Sequence, residues 1–471
     1  MPDELWRWSA GRIAASIAAR DISAREAVEA SVARMRAVNG AINAVTVDLS
    51  ERALAAADRA DAAVKRGERL GPLHGVPVTI KENVDQAGCA TTNGVVAQRE
   101  AIAHDDSPVV ANLLKAGAIP VGRTNTPAFS FRLDTVNDLR GRTHNPWRRG
   151  VTPGGSSGGA SASVAAGIVP LAHGNDIAGS VRYPAFCCGL AGLRPSFGRV
   201  PAFLPTQKAE RAISAQLLSV QGPIARTVND VRLGFAAMAA RDPRDPWWVP
   251  AALEGPPLPR RVAVVRDPGE LDGIAPSPAI AHALDRAAHW LAQAGYEVVD
   301  EPTPGFTDAA RLWFEMFVPE FRLFMQADFE RDGDDGIRTA MAYMAAIAPD
   351  LAPDAHLKAL ARRTKLQRDW LLYQERTPLV LAPVSAVPAY EIGFDVESRA
   401  RTERVWRECS TLMAVPVLGL PGMAVPTGLA DGLPVGVQIV GPRFREDLCL
   451  AAAEAIEVRA AFAAGLPIDP R

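Results

Sequence analysis

TPGGSSGGASASVAAGIVPLA, residues 152–172, is the stretch of this 471-residue chain that is most informative about its fold. A turn rich in glycine and serine is followed there by an apolar, helix-like stretch and a short β-type run. The same alternation occurs earlier, where Lys81 follows the short β-type run GVPVTI and SPVVANLLKAGAIPVGRTN combines a helix with a strand. Such alternation predicts an α/β fold: a large, mostly parallel mixed sheet covered by helices.

The rest of the chain fits one such unit. Residues 1–68 are rich in alanine and helical in period, and Ser23 with Glu26 predicts a capping box at a helix start. A proline-rich break at 249–261 and large apolar groups at 307–372 mark a different segment. We expect a single domain over 1–471, with an N-terminal helical region at 1–68. A variable, partly helical insertion at 240–375 is expected to shape the substrate pocket.

The most apolar long stretch, residues 414–427, contains three prolines. Because a membrane-spanning helix needs about 20 apolar residues, we interpret this stretch as buried strands and turns. The N-terminus lacks the basic start and apolar core of a signal peptide. An odd number of cysteines, five, fits a reducing compartment, so we expect a cytoplasmic protein without membrane association.

Charge and metal-ligand spacing exclude several classes of function. With 51 basic and 53 acidic side chains, the net charge of −2 gives no general basis for nucleic-acid binding. Adjacent Cys187 and Cys188 have no second pair at zinc-site spacing and are expected to be buried apolar groups. We therefore expect no metal, no cofactor and no nucleic-acid partner.

The loop GGSSGG, residues 154–159, is the first candidate for chemistry. It lacks the Gly-Lys-Ser/Thr ending of a phosphate-binding loop and the spacing of a dinucleotide fingerprint. A flexible linker is the simplest alternative, but the loop lies beside an apolar stretch inside the expected core. We favour a tight catalytic turn over both alternatives.

A serine nucleophile needs a base within hydrogen-bond reach, and GNDIAGSVRYP places Ser180 in a glycine-flanked turn. Of seven histidines only His173 lies near it, and a buried structural histidine is the favoured interpretation there. No G-x-S-x-G elbow is present, which disfavours an α/β-hydrolase triad. Lys81 follows an apolar run, and burial would lower its pKa from about 10.4 towards neutrality. By itself, a lysine there is more often an ordinary strand-end residue.

Four separated blocks together resemble the amidase signature family. They are GPLHGVPVTIKENVD, TPGGSSGGASASVAAGIVPLA, GNDIAGSVRYPAFCCGLAGLRPSFGRVP and GLPVGVQIVGP, in this order. The resemblance runs from about residue 10 to residue 460 and is weakest at 240–380. It implies the amidase signature fold and amide hydrolysis through an acyl-enzyme, with a Ser-cis-Ser-Lys triad.

Position by position, the resemblance implies that Ser180 is the nucleophile, Ser156 the bridging serine with a cis peptide, and Lys81 the base. Ser157 is an alternative bridge, but the family's spacing selects the first serine. The implied oxyanion hole consists of the backbone N–H groups of Ile177, Ala178, Gly179 and Ser180. The implied supporting residues are Gly155, Ser157, Asp176 and Arg182.

The chain departs from the family's usual Gly-Thr/Ser-Asp-x-Gly-Gly-Ser at two positions, which are Asn175 and Ala178. The methyl group of Ala178 disfavours a positive φ in the turn, and it could reshape the acyl pocket. The departures affect the expected substrate class and not the expected triad.

The leading hypothesis is an amidohydrolase that converts an aryl or alkyl carboxylic amide to acid and amine or ammonia, in the general amidase class. A carbamate- or ester-cleaving hydrolase of the same family stays open. The catalytic subunit of a tRNA-dependent amidotransferase is disfavoured, because an Asp-Ile-Phe-Thr-like stretch is missing near the C-terminal strands. A non-catalytic scaffold is disfavoured by the complete triad.

Residues 312–318 would provide either apolar walls for the substrate or a surface for helix packing. Homo-oligomerisation also stays open.

Overall fold

The computed structural model describes residues 4–348, 351 and 354–470. Its helices are α1 Ala10–Ala19, α2 Ala24–Ile42, α3 Ser50–Arg66, α4 Pro108–Lys115, α5 Gly158–Ala165, α6 Arg182–Cys188, α7 Ile213–Leu218, α8 Val228–Met238, α9 Pro278–Gln293, α10 Phe306–Phe324, α11 Gln326–Asp332, α12 Asp335–Ile347, α13 Ala355–Gln374, α14 Arg399–Glu408, α15 Ser410–Leu418 and α16 Glu446–Ala460. Its strands are β1 Val45–Asp48, β2 Pro77–Lys81, β3 Ile119–Thr124, β4 Val136–Asn137, β5 Gly141–Arg142, β6 Leu171–Asp176, β7 Ala191–Arg194, β8 Val220–Ala225, β9 Arg261–Val264, β10 Glu297–Val299, β11 Leu379–Pro383, β12 Gly422–Ala430 and β13 Leu433–Val440.

Local sequence signals account for several element boundaries. The predicted capping box is confirmed, because the Ser23 side chain accepts from the Glu26 N–H and the Glu26 carboxylate accepts from the Ser23 N–H. Gly67 caps the C-terminal end of α3, and its left-handed φ of 70° suits a residue without a side chain. Asp431 and Gly432 both have a positive φ, and they form the two-residue turn of the β12–β13 hairpin.

The large mixed sheet covered by helices is confirmed. In the described residues its strand order is β1-β3-β2-β6-β8-β7-β12-β13-β11-β9-β10. Parallel ladders join β2 to β3 and β6, and β9 to β10 and β11. The other neighbours in this sheet pair antiparallel. Antiparallel pairing is thus more extensive than predicted, and one of these antiparallel pairs, β12–β13, is a hairpin.

The strand assignment within residues 414–427 is wrong in its first half. Residues 414–418 belong to α15, and only the part from Gly422 onwards forms the strand β12. Every residue of α15 is buried, so its apolar run shows neither a helical nor a strand period. Pro416 lacks the N–H that would bond to the Leu412 carbonyl, and the Arg182 guanidinium donates to that carbonyl instead, at 2.7 Å.

The segment 240–375 contributes both to the sheet and to a second apolar cluster. Strands β9 and β10 extend the edge of the main sheet beyond β11. Helices α10, α12 and α13 contribute the buried side chains of Trp313, Phe317, Met344 and Trp370 to the second cluster. This segment is therefore continuous with the α/β core.

Lys81, Asp176 and the glycine-rich loop lie together at one edge of the sheet. Strands β2 and β6 are parallel, so their carboxyl ends lie at the same edge of the sheet. Lys81 is the last residue of β2, and Asp176 is the last residue of β6. The glycine-rich loop before α5 reaches the same edge, because Lys81 contacts Ser156 there.

Candidate active site

Lys81 lies in a buried cluster of hydrogen-bond acceptors. All five residues of β2 are buried, and the lysine side chain has no solvent exposure. Its Nζ atom lies 2.7 Å from Ser156 Oγ, 3.1 Å from Ser157 Oγ and 2.7 Å from Asn175 Oδ1. Burial lowers the pKa of Lys81 well below its ordinary value, although the charge of Asp176 acts in the opposite direction. Burial thus acts in favour of the neutral amine, and the Asp176 charge acts in favour of the ammonium.

The glycine- and serine-rich loop is a tight turn inside the core. Its Gly155–Ser156 peptide is cis, and Ser156 and Ser157 are both buried. A Cβ atom on Gly155 would lie 2.4 Å from the Arg132 carbonyl oxygen, and one on Gly159 would lie 2.5 Å from a backbone nitrogen. Both positions therefore require glycine, and a flexible linker is excluded.

Ser180 lies in the turn between β6 and α6 and is 6% exposed. The turn is held by the buried carboxylate of Asp176, which accepts from the Gly179 N–H at 2.9 Å and from Nε and Nη2 of the Arg182 guanidinium, both at 3.0 Å. Arg194 lies 3.3 Å from the same carboxylate. Burial alone would raise the pKa of Asp176, but the two arginines outweigh it and hold the pKa well below its ordinary value.

The structure revises the set of N–H groups that could stabilise an oxyanion. The Gly179 N–H donates to Asp176 Oδ1 at 2.9 Å, so this expected donor already has an acceptor in the turn. Within the part of the chain that the structure describes, the N–H groups of Ile177, Ala178 and Ser180 have no acceptor. Ala178 does not have a positive φ, so its methyl group causes no backbone strain. Gly179, at φ 101°, is the position in this turn that requires glycine.

His173 is a buried structural residue, in line with the favoured interpretation. Its Nε2 atom lies 2.8 Å from Gln221 Oε1, and its ring has no solvent exposure. Burial lowers the pKa of His173 to about 3. Such an imidazole is neutral at physiological pH and a poor proton acceptor.

A cavity of about 590 Å³ connects these residues to the surface. Ser156, Asn175, Ile177 and Ser180 line it, and so do several apolar and aromatic side chains, namely Val84, Phe129, Phe131, Phe203, Leu204, Trp247 and Met325. Its volume is in the range of sites for small organic molecules. The arrangement can therefore accommodate a mostly apolar ligand against Ser180.

The apolar residues at 312–318 lie behind the cavity wall and not in it. Phe317 stacks on Phe131 with ring centroids 4.9 Å apart, and Phe131 lines the cavity. Trp313 is buried and donates from Nε1 to the Ile177 carbonyl at 3.0 Å. Of the two interpretations of this stretch, the structure supports helix packing.

Two asparagines near Lys81, Asn175 and Asn83, have no role assigned from the sequence. Asn175 is a departure from the family's usual sequence, and its Oδ1 atom contacts the lysine amine directly. Asn83 lies two residues after Lys81, and its Oδ1 accepts from Asn175 Nδ2 at 2.9 Å. The sequence KEN could have indicated Asn83, since a residue just beyond a strand end faces the same edge of the sheet.

In the described residues, no group of three His, Cys, Asp or Glu side chains is placed to hold a metal ion. No helix in the described ranges has the length and hydropathy to cross a bilayer.

The large mixed sheet thus has a buried cluster of Lys81, Ser156 and Ser157 at one edge. The profile of the family named Amidase matches residues 26–450, and the chain belongs to this amidase signature family. A curated relative, the indoleacetamide hydrolase of Bradyrhizobium diazoefficiens, is 48% identical over 459 residues, covering 97% of this chain and 87% of that relative. A glutamyl-tRNA(Gln) amidotransferase subunit of Acidothermus cellulolyticus is 34% identical, covering 96% of this chain and 94% of that relative.

Solved structures agree with this assignment. A 6-aminohexanoate cyclic dimer hydrolase in complex with substrate matches with a TM-score of 0.84 and 28% identity, covering 98% of this chain and 99% of that one. A bacterial aryl acylamidase of the amidase signature enzymes matches with a TM-score of 0.81 and 26% identity, with the same coverage. The chain is thus an amidase-family hydrolase that acts on C–N amide bonds.

Proposed function

We propose that this protein hydrolyses an aryl-substituted carboxylic amide to the acid and ammonia or amine, through an acyl intermediate on Ser180. The observation that carries the proposal is the 2.7 Å contact between Lys81 Nζ and Ser156 Oγ, in a buried site whose cavity also exposes Ser180. A buried neutral lysine can serve as a base, and Ser156 stands between it and the cavity.

In the proposed mechanism, the Ser180 oxygen attacks the carbonyl carbon while its proton passes to Ser156 Oγ. The Ser156 proton passes in turn to the neutral amine of Lys81. The tetrahedral intermediate then collapses, and the C–N bond breaks. The leaving nitrogen takes a proton from Ser156, which is resupplied by the Lys81 ammonium. The acyl-serine ester and a neutral lysine remain.

Deacylation uses the same groups in the same order. Water attacks the ester carbonyl and releases a proton through Ser156 to Lys81, and the bond between the acyl carbon and Ser180 breaks. Ser180 recovers its proton, and the carboxylic acid leaves. In both steps we assign the oxyanion to the N–H groups of Ile177, Ala178 and Ser180. Loss of one such donor typically costs about 3 kcal/mol of transition-state stabilisation.

The proposed substrate class rests on the cavity lining and on one relative. Phe129, Phe131 and Trp247 line the cavity, and aromatic side chains suit a planar ring. The relative at 48% identity is named for hydrolysis of indoleacetamide, so a primary arylacetamide is the first substrate to test. Trp247 and Met325 belong to the segment 240–375, which supports its predicted role in shaping the pocket.

Five buried free cysteines support the proposed cytoplasmic location, since a reducing compartment keeps thiols unpaired.

The amidotransferase alternative would require a charged tRNA and partner subunits. The hydrolase proposal requires neither, and the indoleacetamide hydrolase relative is more similar to this chain than the amidotransferase relative, at 48% against 34% identity.

The test is a substrate panel with the purified chain, read as ammonia or amine release for the amides and the carbamate, and as release of the alcohol or phenol for the ester. The panel contains indole-3-acetamide, phenylacetamide, hexanamide, an aryl carbamate and an aryl ester. The highest kcat/KM is expected for the two arylacetamides, and Ser180→Ala should abolish it. Preferred turnover of the carbamate or ester would replace the amide assignment, and absence of turnover by the isolated chain would favour the amidotransferase.

A further inference from the structure

The Lys81 amine has three oxygen neighbours, and their chemistry restricts how it can be oriented. Ser156 Oγ, Ser157 Oγ and Asn175 Oδ1 lie 2.7, 3.1 and 2.7 Å from Nζ. A neutral amine has two N–H groups and one lone pair, so two neighbours must accept and the third must donate. An amide oxygen can only accept, and Asn175 therefore takes one N–H.

Ser157 is expected to take the second N–H. Its hydroxyl lies 3.4 Å from the Asn175 backbone carbonyl, which is the acceptor for the hydroxyl proton. With its own proton directed there, the Ser157 oxygen is left to accept from Lys81. Ser156 is then the neighbour whose hydroxyl proton can be donated to the lone pair.

A chain of polar side chains fixes which end of the Asn175 amide faces the lysine. Asn175 Nδ2 donates to Asn83 Oδ1 at 2.9 Å, and Asn83 Nδ2 donates to Ser130 Oγ at 2.9 Å. Ser130 Oγ donates to Asn93 Oδ1 at 2.6 Å. If the Asn175 amide were rotated by a half-turn, its NH2 group would face the Lys81 amine. Its oxygen would then face the amide oxygen of Asn83. The chain of hydrogen bonds opposes that rotation.

We propose that Asn175 is a positioning residue, which holds one N–H of the Lys81 amine and thereby points the nitrogen lone pair at Ser156. This proposal rests on the proposed function, in which Lys81 is the base. It gives a mechanistic role to the asparagine that stands where the family's usual sequence has threonine or serine.

Few other charged groups face the lysine. On β6, Asp176 favours the ammonium form, and the buried imidazole of His173 is neutral. On β3 the buried guanidinium of Arg123 lies beside β2, and Glu82 follows Lys81 in sequence. Helix α5 contains no titratable residue, and the buried side chains of α2 are uncharged. A charge placed at Asn175 should thus act directly on Lys81.

The test is the pH dependence of kcat/KM for Asn175→Asp, with the most active amide of the panel. A carboxylate in contact with the amine favours the ammonium, and an opposite charge at this range shifts a pKa by about 1–3 units upwards. The rise of kcat/KM with pH should therefore move to higher pH by at least about one unit, with activity recovered on the alkaline side. Asn175→Leu, which offers no acceptor, should lose at least about tenfold in kcat with a smaller change in KM, and alkaline pH should not restore it.

Asn93→Asp is the matched control, because Asn93 lines the same cavity but contacts Ser130 and not Lys81. Its pH profile should shift less than that of Asn175→Asp. An unshifted profile for Asn175→Asp, or an equal shift for Asn93→Asp, would overturn the positioning role. Full activity of Asn175→Leu at neutral pH would also overturn it. Failure of the proposed function is distinguishable, since wild-type protein would then show no Ser180-dependent amide hydrolysis at any pH.

Discussion

The Nζ atom of Lys81 lies 2.7 Å from the Oγ atom of Ser156, although the two residues are 75 positions apart in sequence. The lysine reaches this contact from the end of β2, and the serine reaches it from the loop before α5. Both side chains are buried, and Ser156 also faces the cavity that contains Ser180. This contact is the physical basis for assigning the base in the proposed reaction.

Lys81→Ala should lower kcat by about 10²–10⁴, the usual contribution of a positioned base. Lys81→Arg should be no more active, since a guanidinium stays protonated in proteins. Burial lowers the pKa of Lys81, and the reaction needs the deprotonated amine, so wild-type activity should rise as pH rises through that lowered pKa. Steady-state rates from pH 5 to pH 10 measure both effects. Near-native turnover of Lys81→Arg with an unchanged profile would mean that another residue is the base.

His173→Gln should retain kcat within about fivefold of wild type at pH 8, because a poor proton acceptor contributes little as a base. The replacement keeps a polar group near Gln221, the present partner of the ring. Circular dichroism should show an unchanged fold. If kcat fell as far as it does in Lys81→Ala, His173 would have to be assigned to the proton path.

Gly155→Ala should reduce both folding yield and activity strongly. Its Cβ would lie 2.4 Å from the Arg132 carbonyl oxygen and 2.7 Å from the Leu133 carbonyl carbon, and backbone atoms cannot yield as a flexible side chain can. Gly150→Ala is the control, since nothing lies within 4 Å of its added Cβ. Thermal unfolding and kcat of both variants check the prediction. Equal behaviour of the two alanine variants would contradict the packing argument.

Chelators should leave the rate unchanged. In the proposed reaction Ser180 supplies the nucleophile and Lys81 the base, so no step requires a metal-activated water. The measurement is the rate of ammonia release after dialysis against EDTA, with an undialysed sample as reference. Inhibition that added zinc reverses would refute this mechanism.

Much of the site could be predicted because its residues lie in short, dense motifs. GGSSGG, GNDIAGS and the lysine after GVPVTI are recognisable in the sequence, and the mixed α/β sheet follows from alternating helices and strands. The occupation of the Gly179 N–H by Asp176 was not predictable, since it depends on the conformation of one turn. The same holds for Asn83, whose role depends on which strand end lies beside it.

The helix α15, Ser410–Leu418, shows another limit of sequence patterns. A run that is buried on all sides has no polar face to reveal its period, and Pro416 argues against a helix. The helix is compatible with this proline because Arg182, 230 positions from Leu412 in sequence, donates to the Leu412 carbonyl. Long-range contacts of this kind are invisible in a local pattern.

The central claim is that the acyl group is carried by Ser180, and the most direct test is mass spectrometry of the trapped intermediate. An activated aryl ester is mixed with the protein, the reaction is quenched in acid, and the protein is digested with trypsin. Cleavage at arginine gives one peptide, residues 150–182, that contains Ser156, Ser157 and Ser180 together, so fragment ions must locate the added mass. The account predicts the acyl group on Ser180 and none in Ser180→Ala. An acyl group on Ser156 or on any other residue would contradict it.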